Sequence, residues 1–286
     1  MPLFLDCLPC VLRGALEAAR MTTDDKTLQA QIMAETIQVL SHYKAYGSAP
    51  ELARAFQRIV KAHTGNQDPY AFVKERDMQT ALRLLPAIQK RLQAKDDRLY
   101  WALKAAAIGN MLDSAVSLTP DMSRIDTEFE MPFAVCDIDR MLHTLKTAKT
   151  LLVIGDNTGE TVFDGLLLKQ FPNLRLTYAV RHAPVLNDAT VKEAVASGLA
   201  AYAEIISTGC DVPGVLLCEC SDEFLERFFG ADIVIAKGQG NYETLSGSPR
   251  GIYHLLKVKC PVIARVMNVQ LYDYVFQYNA GCDANA

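Results

Sequence analysis

Through residues 1 to about 118, apolar positions recur at helical spacing and never alternate with period two. Leu28, Ile32, Ile37 and Leu40 predict a helix that Asp24 can cap, and Gly47-Ser48-Ala49-Pro50 ends it. Leu52, Phe56, Ile59 and Val60 predict a third helix ending near Gly65-Asn66. Met78, Leu82, Leu85, Ile88 and Leu92 predict another, kinked or split by Pro86, and one more runs from about Asp97 to Val116. From about Thr150 the pattern changes to short apolar runs alternating with amphipathic stretches. Strands are expected at Leu151–Gly155, Arg175–Val180, Glu204–Ser207, Asp232–Ala236 and Pro261–Val266, and helices at about 161–170, 187–197, 221–229 and 248–257. Strand–helix alternation with apolar strands predicts an α/β fold, a doubly wound and mainly parallel sheet. The expected layout is an N-terminal all-helical domain over 1–118, a connector and packing segment over 119–149, and an α/β domain over 150–286.

Composition narrows the function classes. A 286-residue chain that is 50% hydrophobic buries a large core. Its net charge of −4 disfavours nucleic acid and anionic membranes, which both call for a basic surface. No apolar run approaches the ~20 residues of a membrane span, and the first residues lack the basic start of a signal peptide. Eight cysteines in such a chain read as thiols and not as a disulfide framework, so a cytoplasmic location is expected. The pattern leaves the oligomeric state open.

The chemistry-bearing residues gather at strand ends. Leu151-Leu152-Val153-Ile154 runs into Gly155-Asp156-Asn157-Thr158-Gly159-Glu160; the second strand runs into Arg181-His182 and then Asn187-Asp188-Ala189-Thr190; the fourth runs into Lys237-Gly238-Gln239-Gly240-Asn241-Tyr242-Glu243. In a parallel sheet these ends point the same way and can share one crevice. Carboxylate and amide oxygens are hard donors suited to Mg²⁺ or Mn²⁺, and a lysine on a glycine-flanked loop can meet a phosphate. Taken singly, Asp188 also reads as a helix cap and Lys237 as a solvated lysine beside a turn. The chain lacks G-x-x-x-x-G-K-[ST], G-x-G-x-x-G and G-x-S-x-G, which disfavours P-loop, nicotinamide and α/β-hydrolase chemistry.

Together with Cys7-Leu8-Pro9-Cys10 and Gly109-Asn110-Met111-Leu112-Asp113, these motifs carry a resemblance. In their order along the chain they resemble the DUF89 (ARMT1-like) metal-dependent damage-control phosphatases, in the microbial subgroup with an N-terminal C-x-x-C. The resemblance implies a helical domain packed on a Rossmann-like α/β domain that hydrolyses a small phosphorylated metabolite, a phosphomonoester. It implies metal ligation by Asp156, Asn157 and Asp188, with Mn²⁺ or Mg²⁺ expected and Co²⁺ or Ni²⁺ as further candidates. Lys237, Gly238, Gly240 and Asn241 would lie at the substrate phosphate, and Arg181 joins the substrate-binding candidates. Asn110 and Asp113, three apart on one helix, would line the cleft from the first domain. Glu160 or Asp113 would position or deprotonate the attacking water.

Two rival readings remain at this level. A glycine-containing turn with nearby acids can also hold S-adenosylmethionine for a carboxyl methyltransferase, but a methyl donor gives no reason for the Asp-Asn-Asp set. A non-catalytic metal-binding protein is the other. Cys7 and Cys10 open a helix and lack a second ligand pair, so they read as buried structural thiols and not as a zinc or redox site.

Overall fold

The computed structural model describes residues 1–109 and 122–281. Residues 1–109 hold five helices: α1 (Cys7–Thr22), α2 (Lys26–Ser41), α3 (Ala49–Thr64), α4 (Ala71–Gln93) and α5 (Arg98–Ile108). Their ends follow capping chemistry. Asp25, one residue beyond the expected cap, accepts from Thr27 N and Leu28 N at the start of α2. Gly65 ends α3 in the left-handed region at φ 69°. α4 runs unbroken through Pro86, so the proline does not split the helix as expected.

The remainder alternates: α6 (Met122–Glu130), β1 (Phe133–Cys136), α7 (Ile138–Leu145), β2 (Thr150–Ile154), α8 (Glu160–Leu168), β3 (Arg175–Val180), α9 (Val191–Ala196) and β4 (Glu204–Ser207). Then follow α10 (Asp222–Gly230), β5 (Ile233–Lys237), α11 (Gly238–Leu245), β6 (Ile252–Lys257), α12 (Pro261–Met267) and β7 (Tyr274–Asn279). The strands form one seven-stranded sheet in the order β1-β7-β6-β5-β2-β3-β4. Its pairs are parallel except β6 with β7. The fold is therefore α/β with a mainly parallel sheet, and β2 lies between β3 and β5, where the winding reverses.

Strand parity explains the apolar runs. Leu151, Val153, Ile233 and Ile235 face a core shared with α4, α5 and α8, while Leu152, Ile154, Val234 and Ala236 face a second core with Phe224 and Phe228 of α10. Both faces are covered, so these strands lack the polar alternation of a one-sided sheet. Helices α1–α3 have a core of their own around Ile32, Leu52 and Phe56. They dock on the sheet's loops by polar contacts: Arg54 and Arg58 pair with Asp211, and Lys61 Nζ donates to Pro184 O at 2.5 Å.

Two expected elements are exchanged. The stretch expected as a helix at 248–257 contains strand β6, and the expected strand at 261–266 is helix α12. β6 is buried at all six positions, so no periodicity betrays it. α12 begins at Pro261, a residue suited to the first helical position, where no N–H is needed. Two strands also come from stretches with no strand expected: β1 from the 119–149 segment and β7 from the tail. Among the described residues no helix is long and apolar enough to cross a membrane.

Candidate active site

The site is assembled where β2, β3 and β5 end. Beyond β2 the backbone stays extended: Gly155 N donates to Ala179 O at 2.8 Å and Ala189 N donates to Asp156 O at 2.8 Å. Thr158 N then donates to Asn187 O at 2.9 Å, and Asn157 and Asp188 form a bridge. The segment after β3 thus folds back beside the one after β2, setting Asp188 against Asn157. Thr190, and not Asp188, caps α9, through a capping box with Glu193.

Arg181 lies under the two aspartates. Its Nε donates to Asp188 Oδ2 at 2.7 Å, one Nη to Asp156 Oδ1 at 3.4 Å, and the other to Asn241 Oδ1 at 3.1 Å. Asn241 Nδ2 donates in turn to Gly155 O at 3.0 Å and Lys237 O at 2.6 Å. Arg181 is 1% exposed and Asn241 0%. Both were expected at the substrate; here their hydrogen bonds tie the ends of β2, β3 and β5 together from beneath.

A second charge cluster sits beside the first. Lys237 Nζ donates to Glu160 Oε2 at 2.6 Å and Ala106 O at 3.0 Å, and pairs with Asp164 Oδ1 at 2.7 Å. Glu160 also accepts from Asn157 Nδ2 at 3.2 Å, which links the clusters. Tyr178 donates to Asp164 Oδ2 at 2.6 Å. Lys237 is fully buried, so it is neither a solvated loop residue nor an open point charge.

The electrostatics follow from this burial. Loss of water, then Asp188 and Glu160, push the Asp156 carboxyl well above 3.8, against the pull of Arg181 and Lys237. Burial raises Asp164 to about 6, with Lys237 opposing. Burial alone would lower Lys237, but Asp164 and Glu160 outweigh it and hold it above 10.5.

The glycines have steric reasons. Gly238 has φ +75°, and a Cβ there would lie 1.8 Å from Asp156 Oδ2. A Cβ on Gly240 would lie 2.2 Å from Pro213 O, so this glycine serves close backbone packing. A Cβ on Gly109 would lie 2.8 Å from Glu160 Cα, so the end of α5 abuts the site. Asn110 and Asp113, which follow, lie outside the described residues.

Asp164 and Tyr178 were not anticipated. Asp164 stands four residues after Glu160 and shares its helix face, a spacing legible in the sequence. Tyr178 is opposite Val153 in the sheet, and that pairing emerges only from the register. Cys7 is partly buried and Cys10 exposed, which corrects the expectation of buried thiols.

A profile of the damage-control phosphatase ARMT1-like domain matches residues 3–275. The chain belongs to this family. A damage-control phosphatase of Pyrococcus horikoshii is 32% identical over 272 residues, spanning 92% of this chain and 93% of the relative. A damage-control phosphatase of Archaeoglobus fulgidus is 31% identical over 281 residues, 94% of this chain and 96% of the relative. An uncharacterised protein of Methanocaldococcus jannaschii is 31% identical over 283 residues, 94% and 93% of the two chains. The crystal structure of a DUF89 family protein from Pyrococcus horikoshii superposes with a TM-score of 0.87 at 31% identity, covering 98% of this chain and 99% of that one. Membership supports a phosphatase role.

Proposed function

We propose that this chain is a cytoplasmic, divalent-metal-dependent phosphatase that hydrolyses a small phosphorylated metabolite. The observation that carries the reading is the convergence of Asp156, Asn157 and Asp188 at the carboxyl ends of β2 and β3, with Gly238 leaving room over Asp156.

The donor set fits a hard cation. Among the described residues no group of three or more His, Cys, Asp and Glu is placed to hold a metal; the amide of Asn157, next to Asp156 in the chain and bridged to Asp188, would supply the third donor. Its Nδ2 is committed to Glu160, which fixes the amide and leaves its carbonyl oxygen as the donor for a metal. Asp156, Asn157 and Asp188 would hold Mg²⁺ or Mn²⁺, which when bound supplies Lewis acidity to the phosphoryl oxygens. Arg181 would keep both carboxylates in place, as hydrogen-bonded partners of ligands commonly do. Lys237 would fix Glu160, and Glu160 the Asn157 amide. In this reading Glu160 would also orient a water.

Phosphate release from a panel of phosphorylated metabolites, with added Mn²⁺ or Mg²⁺ and after chelation, tests this. Hydrolysis should vanish on chelation, return with metal, and be absent in Asp188→Ala. Undiminished hydrolysis after exhaustive chelation would overturn the reading.

A further inference from the structure

Two thiols that the metal-binding residues do not use lie against each other just beyond β4. Cys210 is 1% exposed, and Cys220, at the far end of the 211–219 loop, is partly exposed. The two ends of that loop run side by side. Ser221 N donates to Thr208 O at 3.0 Å, and a Cβ on Gly209 would lie 2.5 Å from Ser221 N. One residue on from Gly209 and one back from Ser221, Cys210 meets Cys220, and the two thiols share a hydrogen bond. Disulfides need Cα atoms about 4.4–6.8 Å apart with their side chains turned toward each other. Thiols in contact across touching backbones meet that need with little movement of the chain.

The pair is unequal. Cys220 donates to the Cys210 sulfur and holds it below the usual thiol range, against the effect of burial. The same contact, and then burial, push Cys220 up. Leu216 O, 3.2 Å from Cys220 Sγ, is the other acceptor for its proton. Cys210 is thus the nucleophile of the pair, with a protonated thiol beside it. A thiolate is the form that peroxides oxidise, and a neighbouring thiol turns that first oxidation into a disulfide.

The loop between the thiols holds the helical domain. Asp211, next to Cys210, pairs with Arg54 and Arg58 of α3. Glu219, next to Cys220, accepts from Arg54 Nη2 at 3.0 Å and, when Cys210 is protonated, from Cys210 Sγ at 3.9 Å. The state of the sulfur therefore bears on a carboxylate that anchors α3. A Cβ on Gly214 would lie 2.7 Å from Gly240 O, so the loop also packs on α11, whose first residue Gly238 abuts Asp156.

We propose that Cys210 and Cys220 are a modification site for hydroperoxides, closing into a reversible disulfide that changes how α3 is held on the sheet. The Cys210 sulfur attacks the O–O bond, keeps one oxygen as a sulfenic acid and releases the other as hydroxide, which takes up the proton that Cys210 gave up. The Cys220 sulfur then displaces the sulfenic oxygen, which leaves as a second water with the Cys220 proton. Two thiols are oxidised by two electrons and one peroxide is reduced to two waters. A dithiol reductant reverses the change by thiol–disulfide exchange. This inference stands apart from the phosphatase reading, since it needs only the thiol pair and its loop.

The test treats the reduced full-length chain with stoichiometric hydrogen peroxide at neutral pH, then alkylates free thiols and maps the peptides by mass. The expected product is a Cys210–Cys220 disulfide, lighter by two hydrogens, with two alkylatable thiols lost and regained in dithiothreitol. Amide hydrogen exchange along α3 should differ between the reduced and oxidised forms. Cys218→Ser, which removes the exposed thiol two residues from Cys220, should leave the linkage in place. Cys220→Ser should stop at a Cys210 sulfenic acid that dimedone traps. A linkage through Cys218, an unlinked pair after peroxide, or α3 exchange identical in the two forms would overturn the proposal. The wild-type mapping needs no substitution, so the proposal can fail even where a variant does not fold.

Discussion

Gly238 and Asp156 are in such close contact that a Cβ on the glycine would lie 1.8 Å from Asp156 Oδ2. The glycine also has φ +75°, so a side chain would be strained there whatever space existed. Gly238→Ala should therefore displace the Asp156 carboxylate. Displacing a reacting geometry by about 1 Å can cost ~10²-fold in rate. Activity assays beside a metal titration should show both turnover and metal-dependent stabilisation falling. Wild-type values for both would mean that Asp156 plays no part in the centre.

Lys237 is expected to matter for folding as well as for catalysis. Glu160 and Asp164 are 1% and 0% exposed, and Lys237 is the cation between them. Breaking a buried pair by removing one partner costs about 3–5 kcal/mol. Lys237→Met should lose about that much in chemical denaturation. Adding Asp164→Asn should recover part of it, because one of the two stranded charges is then gone. Additive losses in the double variant would show that the residues are not coupled.

His254 should make the protein sensitive to acid. It is 0% exposed on β6, neither ring nitrogen has a hydrogen-bond partner among the described residues, and burial lowers it from 6.5 to about 3. Between those values the unfolded chain binds a proton that the folded one refuses, so stability falls as pH drops from 6.5 toward 3. His254→Phe should flatten that part of the stability curve and cost little at neutral pH, since it also removes two unsatisfied nitrogens. Denaturation midpoints across the range check this, and an unchanged slope would assign the acid sensitivity to other groups.

Cys7 and Cys10 should be dispensable for hydrolysis. Cys10 is exposed and Cys7 only partly buried, both in the first turn of α1. The double variant Cys7→Ser, Cys10→Ser should keep wild-type turnover, with stability changed by ~0.5 kcal/mol per exposed site. A folded variant without turnover would give the pair a catalytic role.

The order of β2, β3, β4 and β5 and the loops that follow them could be read from the chain itself. An apolar run between breakers records burial on both faces, and a polar cluster at its end has few reasons to be there other than a site. The sequence by itself thus put Asp156, Asn157, Glu160, Asp188 and Lys237 at or just beyond strand ends, which the sheet sets side by side. What it could not settle was which charge meets which. Arg181 follows a strand and reads as reaching for substrate, yet register and parity turn it beneath Asp156 and Asp188. Lys237 reads as a loop cation, yet it is the last residue of β5 and points at α8, where Asp164 stands one turn beyond Glu160. The exchange of β6 and α12 has a similar origin, because a segment buried at every position carries no periodicity to distinguish strand from helix. Local pattern records how much of each residue is hidden. Only packing decides what it is hidden against, because ion pairs depend on strand order and helix phase among residues far apart in the chain.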